Sequence, residues 1–132
     1  YSKKVFGEIN EVRLLFETYG LKKLIENLSE KEIGEMKDFL KKFRQYFENK
    51  ELGKYRDLDI SFHNYIINQT KNKYIIKQFK ESIIIPDTSS AFIPIDISIK
   101  HHIDLVESII SKNYIKAKKT IKQHIGSLVL SS

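Results

Sequence analysis

The chain has 132 residues, which suits a single domain, residues 1–132, and leaves too little length for two separate cores. Hydrophobic residues make up 41% and charged residues 30%, as in ordinary globular proteins. Because there is no cysteine, disulfides, thiolate metal sites and cysteine nucleophiles are excluded, and a cytoplasmic location is expected. Apolar runs such as Ile83–Ile85 are far too short to cross a membrane.

The basic character of the chain, with a net charge of +6 and a pI of about 9.4, raises the question of nucleic-acid binding. Its lysines are spread over every predicted helix, in pairs such as Lys22–Lys23, and there is no glycine-rich phosphate loop. We therefore interpret the charge as a solvated surface and expect no direct DNA contact by this segment. Since the chain begins with Tyr1 and not with methionine, we expect it to be part of a longer protein.

A first helix is predicted from Glu8 to about Leu28, because apolar residues recur there at helical spacing. Arg13 falls on the same apolar stripe, where an unpaired charge would be very costly. One interpretation pairs it with Glu17, one turn further on. In the other, Arg13 faces an internal cavity and its two-pronged guanidinium binds the carboxylate of a ligand.

A second helix is predicted from residue 30 to about Glu48. Ser29 and Glu32 form a capping box at its start, with the serine at the N-cap and the glutamate at the third helical position. Its apolar side recurs at helical spacing and carries no polar group suited to chemistry. We interpret that side as core.

A third helix, predicted from about Glu51 to Thr70, contains the most informative pair of residues. Asp59 and His63 stand four positions apart, so both side chains leave the same helix face one turn apart. Most such pairs lie on the surface, but here the neighbours on that face are apolar. A carboxylate and an imidazole in this arrangement can bind one cation, with each donor atom at about 2.0–2.2 Å if it is zinc.

A fourth helix is predicted from Lys73 to about Ile84, followed by an irregular segment from Pro86 to Pro94 that is rich in serine, threonine and aspartate. The isoleucines at alternate positions from Ile93 onward would also suit a short strand. With no second strand to pair with, we reject that interpretation.

The last two helices place two more histidines inward. Ser98 is predicted to cap a fifth helix that ends near Ser111, and His102 lies on its apolar stripe, with His101 about 100° around the axis. A sixth helix, from Asn113 or Tyr114 to about Leu130, has His124 on its apolar stripe.

Three histidines on three apolar helix faces, together with an aligned aspartate, form a candidate metal site of Asp59, His63, His102 and His124. These nitrogen and oxygen donors suit zinc first, with nickel, iron or manganese as alternatives, and they leave coordination positions open. One alternative is a metal-dependent enzyme acting on a small organic acid, although no spare inward carboxylate or Gly-x-Ser-x-Gly motif accompanies the site. Another is a helical scaffold whose histidines are only part of the core.

Segments in order along the chain resemble one known family. Residues 11–17 are similar to the first-helix signature of the FCD domain, the effector-binding half of FadR-type GntR transcription regulators. Residues 58–63 match its Asp-x-x-Phe-His motif, and residues 70–72 its Ser-Gly-Asn turn. Residues 98–102 fit its Ser-x-x-Glu-His element, and residues 117–124 its closing Ala-x₆-His pattern. Two positions depart from the pattern, since His101 replaces a glutamate and Lys71 replaces a glycine.

The resemblance implies an all-α fold, an antiparallel bundle of about six helices that senses a small carboxylate effector. It implies a divalent metal held by Asp59 and the three inward histidines, and an effector bound by that metal and by Arg13. DNA would be bound through a separate N-terminal winged helix-turn-helix domain that this chain lacks. The resemblance also implies a homodimer acting on two half-sites.

Overall fold

The computed structural model describes residues 2–83 and 94–130, and these form six helices without a strand among them. The helices are α1 (Lys3–Glu26), α2 (Glu30–Asn49), α3 (Leu52–Asn68), α4 (Lys73–Ser82), α5 (Ile95–Ile110) and α6 (Tyr114–Leu130). The predicted all-α bundle of about six helices is therefore confirmed. None of the helices in the described ranges combines the length and apolar character needed to cross a bilayer.

Helices α1, α3, α5 and α6 surround a common interior. Helix α1 packs against α6 and α3, while α2 packs against α5 and α3, and α5 also packs against α6. The main hydrophobic core is contributed by α1, α2, α3, α5 and α6. A smaller cluster of Ile67, Phe79 and Ile83 lies between the end of α3 and α4.

Two helices begin earlier in the chain than predicted. Helix α1 begins at Lys3 and not at Glu8, because Ser2 acts as an N-cap whose Oγ accepts a hydrogen bond from the Val5 amide at 3.2 Å. Helix α5 begins at Ile95, directly after Pro94, and not after a cap at Ser98. The predicted irregular segment and the predicted end of the fourth helix lie outside the described residues, apart from Pro94 itself.

The connections between helices follow their local sequence. The predicted capping box is present, with the Glu32 carboxylate accepting from the Ser29 amide at 3.3 Å and from its hydroxyl at 2.6 Å. Lys71, at the position where the family has glycine, adopts φ 51°, the left-handed conformation that glycine favours. The turn is thus retained, and the Asn72 side chain after it caps α4 by accepting from two backbone amides.

The inward face of α1 is more polar than its sequence suggested. Asn10, Arg13 and Glu17 are fully buried, whereas the apolar Ile9 and Phe16 are partly buried against the smaller α3–α4 cluster. A face carrying three buried polar side chains needs polar partners from neighbouring helices. Arg13 and Glu17 find such a partner in His63 of α3.

Helix α1 approaches α3 closely at Gly20. A Cβ atom added there would collide with the backbone carbonyl oxygen of Ile66 and with the Ile66 side chain. Only glycine permits this separation between the two helix backbones. The close approach brings the polar face of α1 within reach of the Asp59–His63 face of α3.

Candidate metal and effector site

The structure brings all five residues predicted for the site into the bundle interior. The exposed fraction is 0% for Arg13 and His63, 3% for Asp59, 1% for His102 and 2% for His124. His63, His102 and His124 each offer a ring nitrogen, and these three atoms lie within 4.8 Å of one another. The three histidines come from α3, α5 and α6, so the group joins parts of the chain that are far apart in sequence.

The distances between donor atoms suit a metal ion. Asp59 Oδ1 lies 3.1 Å from His63 Nε2 and 2.9 Å from His102 Nε2, and the two Nε2 atoms are 3.0 Å apart. The three atoms thus form a nearly equilateral triangle. Donors about 2.1 Å from one ion lie roughly 3.0 Å apart on an octahedral face and roughly 3.4 Å apart in a tetrahedron. These three atoms are therefore spaced as donors to one divalent cation would be, whereas the compact group that contains His124 consists of the three histidines without Asp59.

His63 is held in place by Glu17 of α1. Its Nδ1 contacts Glu17 Oε1, and the other carboxylate oxygen, Oε2, lies 2.5 Å from the Nε atom of Arg13. An ionised carboxylate can only accept, so Nδ1 of His63 donates and, in the neutral ring, the lone pair is at Nε2. This arrangement, a carboxylate behind a histidine, is the one that orients metal-ligating imidazoles in proteins.

His102 is oriented by two groups from α3 and α5. Its Nδ1 lies 2.7 Å from the backbone oxygen of Ser98, which can only accept, so Nδ1 carries a hydrogen and, in the neutral ring, the lone pair is at Nε2. The Tyr55 hydroxyl lies 3.0 Å from the same Nδ1 and 2.5 Å from Ser98 Oγ. In their neutral forms, His102 and His63 therefore both direct an Nε2 lone pair to the same space.

The third histidine of the group, His124, comes from α6. Its ring stacks on that of His63 at a centroid distance of 5.9 Å and meets the ring of His102 at 4.7 Å. His101 is half-buried and lies outside the group, with its Nδ1 3.1 Å from Nδ1 of His124. The predicted register of α5, with His102 inward and His101 beside it, is the one observed.

Burial and neighbouring charges together shift the pKa values of the ionisable groups of the site. Burial raises the pKa of Asp59, but the neighbouring charge of His102 outweighs it and holds that pKa well below its usual value. Burial, helped by the charges of His102 and His63, places the pKa of His124 well below its usual value. The ionised carboxylate of Asp59 and the neutral imidazole of His124 are thus favoured, and these are the protonation states that a metal ligand requires. For His63, burial lowers the pKa, but the Glu17 charge outweighs burial and raises the pKa above its usual value, so metal binding there would displace a proton.

The guanidinium of Arg13 lies at the edge of this group. Its Nη2 atom is 3.2 Å from Nε2 of His63, while its Nε is paired with Glu17. Burial would raise the pKa of Glu17, but Arg13 and then His63 lower it below its usual value, so the ion pair is maintained. The structure shows the pairing of Arg13 with Glu17 and a second contact with the histidine group, while binding of a ligand carboxylate by Arg13 stays a prediction.

Sequence reasoning missed three contributors to the site. Glu17 was considered only as a partner for Arg13, Ser98 only as a helix cap, and Tyr55 was assigned no role. A signal was present for the last two. Tyr55 precedes Asp59 by four residues and Ser98 precedes His102 by four, so each shares a helix face with a candidate ligand.

Comparisons with known proteins agree with this architecture. No match was found among the curated proteins. Among solved structures, the chain is similar to the metal-free FCD domain of TM0439, a protein described as a transcriptional regulator, with a TM-score of 0.82 and 20% identity. The match covers 98% of this chain and 92% of that one, and at this identity it shows a shared fold. The model of the FCD domain family matches residues 8–127, and the chain belongs to this family.

Proposed function

We propose that the chain is the effector-sensing domain of a GntR-type transcription regulator, which binds a divalent metal and a small carboxylate metabolite inside the bundle. Membership of the FCD family supports a regulatory role, as does the likeness to a domain of a described transcriptional regulator. The observation that carries the proposal is the convergence of His63, His102 and His124, all buried, beside the buried guanidinium of Arg13.

Four side chains would hold the metal: Asp59, His63, His102 and His124. Zinc is the first candidate, with nickel, iron or manganese as alternatives, because all suit mixed nitrogen and oxygen donors. When bound, the ion would supply open coordination positions for an anion. The chain itself orients two of the imidazoles. Glu17 contacts Nδ1 of His63, and the Ser98 backbone oxygen accepts from Nδ1 of His102.

Arg13 would bind the effector carboxylate next to the metal. Its guanidinium is fixed at Nε by Glu17, and its Nη2 lies at the histidine group. A fork of donors fixed in this way loses little conformational entropy when it binds a carboxylate. Together with the metal it makes a two-point clamp for a small acid.

A binding role accounts for the site better than catalysis does. Both carboxylates beside the histidines are engaged, Glu17 with Arg13 and His63, and Asp59 with His63 and His102, so neither is placed as a general base. Effector binding would shift the population of two arrangements of a cytoplasmic homodimer. A separate winged helix-turn-helix domain would contact the DNA, and this segment would not.

Metal analysis of protein purified without a polyhistidine tag tests the first half of the proposal. We expect roughly one divalent ion per chain, and a higher melting temperature after zinc is added to chelator-treated protein. If none of zinc, nickel, iron or manganese binds or changes the melting temperature, the histidines belong only to the core and the proposal fails.

Calorimetric titration with small carboxylic acids tests the second half. Arg13→Lys keeps the charge but loses the fork, so the metal-loaded variant should bind the acid about 1.5–3 kcal/mol more weakly while its metal content stays unchanged. Arg44→Lys is the matched control, because Arg44 is exposed and pairs only with the exposed Glu107 among the interactions described. Equal affinity in parent and Arg13→Lys would leave Arg13 as a structural partner of Glu17.

A further inference from the structure

The polar face of α1 carries a side chain that the site described above does not use. Asn10 is fully buried, and within the described part of the chain neither its Oδ1 nor its Nδ2 has a hydrogen-bond partner. A buried amide with both polar atoms unpaired is costly, and such a group calls for a ligand or an ordered water. Asn10 is thus the most conspicuous unsatisfied group on α1.

Helix geometry places Asn10 next to the proposed effector site. Asn10, Arg13 and Glu17 follow the i, i+3, i+7 spacing of one helix face, and all three are fully buried. The Cα atoms of Asn10 and Arg13 are separated by roughly 4.5 Å along the helix axis. Asn10 therefore lies about one turn before Arg13 on the same buried face, where an acid that extended from the guanidinium toward the start of α1 would reach the carboxamide.

We propose that Asn10 is a further effector-binding residue, and that the effector carries a hydroxyl group in addition to its carboxylate. This inference rests on the proposed function of the site. A carboxamide has an acceptor oxygen and a donor NH₂ group, so a partner for both must donate as well as accept. An ionised carboxylate only accepts, whereas a hydroxyl does both. An ammonium group would donate, but Arg13 and a bound metal would repel it.

The test compares acids that differ only by a hydroxyl group. The zinc-loaded parent is titrated with three pairs: lactate and propionate, malate and succinate, and 3-hydroxybutyrate and butyrate. In at least one pair the hydroxy acid should bind about tenfold or more tightly than its partner, because the latter leaves a buried polar group unpaired. Asn10→Leu should bring the affinity for the hydroxy acid down to that for its partner, and leave the partner's affinity within about twofold. Asn68→Leu, an exposed asparagine at the end of α3, should change neither.

The ligand-free proteins provide a second measurement. If the Asn10 amide is unpaired in the ligand-free protein, Asn10→Leu removes a costly buried group. The melting temperature should then stay the same or rise. A large fall would show that the amide is satisfied within the folded protein, and would overturn the inference. Asn10→Ala, which removes the amide without adding bulk, serves if the leucine variant does not fold.

The remaining outcomes separate the two proposals. Binding of both acids of every pair with equal affinity, or equal weakening of both by Asn10→Leu, overturns the role of Asn10 and leaves the proposed function standing. In that case an ordered water occupies the amide. If no acid of any pair binds to the zinc-loaded parent, the proposed carboxylate site itself fails, and this inference fails with it.

Discussion

Glu17 of α1 contacts Nδ1 of His63 on α3, although the two residues are 46 positions apart in sequence. Nδ1 lies on the opposite side of the ring from Nε2, the atom that we propose for metal binding. Replacing Glu17 with Gln removes the negative charge that makes the ring a better donor, so metal affinity should fall by about 10–100-fold. Competition with a chromophoric chelator measures this directly.

The control for that variant is Glu107→Gln, an exposed glutamate on α5 that pairs with Arg44. It removes the same charge from the protein and should leave metal affinity unchanged. Equal effects of the two substitutions would indicate a general change in charge, and would contradict a specific role for Glu17.

The neighbouring histidines of α5 should differ sharply in their effect on metal binding. His102→Ala should lose metal, because His102 Nε2 lies at the Asp59–His63 pair, whereas His101→Ala should retain it. At free zinc about 100 times its Kd, the parent and His101→Ala should gain about 2.7 kcal/mol of stability from the metal, and His102→Ala almost none. Thermal melts with and without zinc measure the gain, and the reverse order would exclude His102 as a ligand.

The α1–α3 contact at Gly20 gives a prediction that involves no ligand. Gly20→Ala should destabilise the protein by about 1–3 kcal/mol, because the added methyl group meets the rigid carbonyl of Ile66. Gly34→Ala is the matched control, since a Cβ there meets nothing within 4 Å. That variant should be stabilised by about 0.5–1 kcal/mol, the usual gain for alanine over glycine inside a helix. Denaturant unfolding distinguishes the two signs, and a stabilised Gly20→Ala would mean that α1 and α3 lie further apart.

The capping box of α2 should make a pH-dependent contribution to stability. The hydrogen bond from the Ser29 hydroxyl lowers the pKa of Glu32 below its ordinary value of 4.5. A carboxyl whose pKa is lowered by folding stabilises the folded state above its unfolded pKa, and that contribution is lost as the pH falls through the folded pKa. Ser29→Ala should therefore lower the melting temperature at pH 7, and the difference from the parent should shrink towards about pH 3.

Glu32→Gln checks the origin of that dependence. Glutamine can still accept from the Ser29 hydroxyl and amide, but it does not titrate. The effect of adding Ser29→Ala to it should be nearly constant over the same pH range. A contribution that shrinks equally in both backgrounds would assign the pH dependence to other groups.

Much of the fold could be predicted because burial in this chain follows helical periodicity. The inward stripes of α5 and α6 contain His102 and His124 as predicted, and both are buried. The helix starts were less predictable. Ser2 caps α1 through its side chain, while Pro94 precedes α5 without a side-chain cap, so a search for capping residues selected Ser98 instead.

For the candidate site, the sequence predicted which residues share a helix face, but not the contacts between helices. Asp59 and His63 share one face, and the inward histidines of α5 and α6 follow from their stripes, but their role as ligands stays a prediction. Periodicity does not show which faces meet. The contacts made by Glu17 and Tyr55 depend on how α1, α3 and α5 pack, and these contacts could be identified only from the structure.

The Glu17 carboxylate is shared, because one oxygen faces Arg13 and the other faces His63. An anion that shared the positive charge of Arg13, while the Nε of Arg13 stayed on Glu17, would leave more negative charge for the imidazole and so make His63 the more basic donor. Binding of the anion and of the metal is then thermodynamically coupled, and such coupling is reciprocal. The factor by which the anion changes metal affinity equals the factor by which the metal changes anion affinity, so the free metal concentration in the cell would tune the metabolite level at which the domain responds.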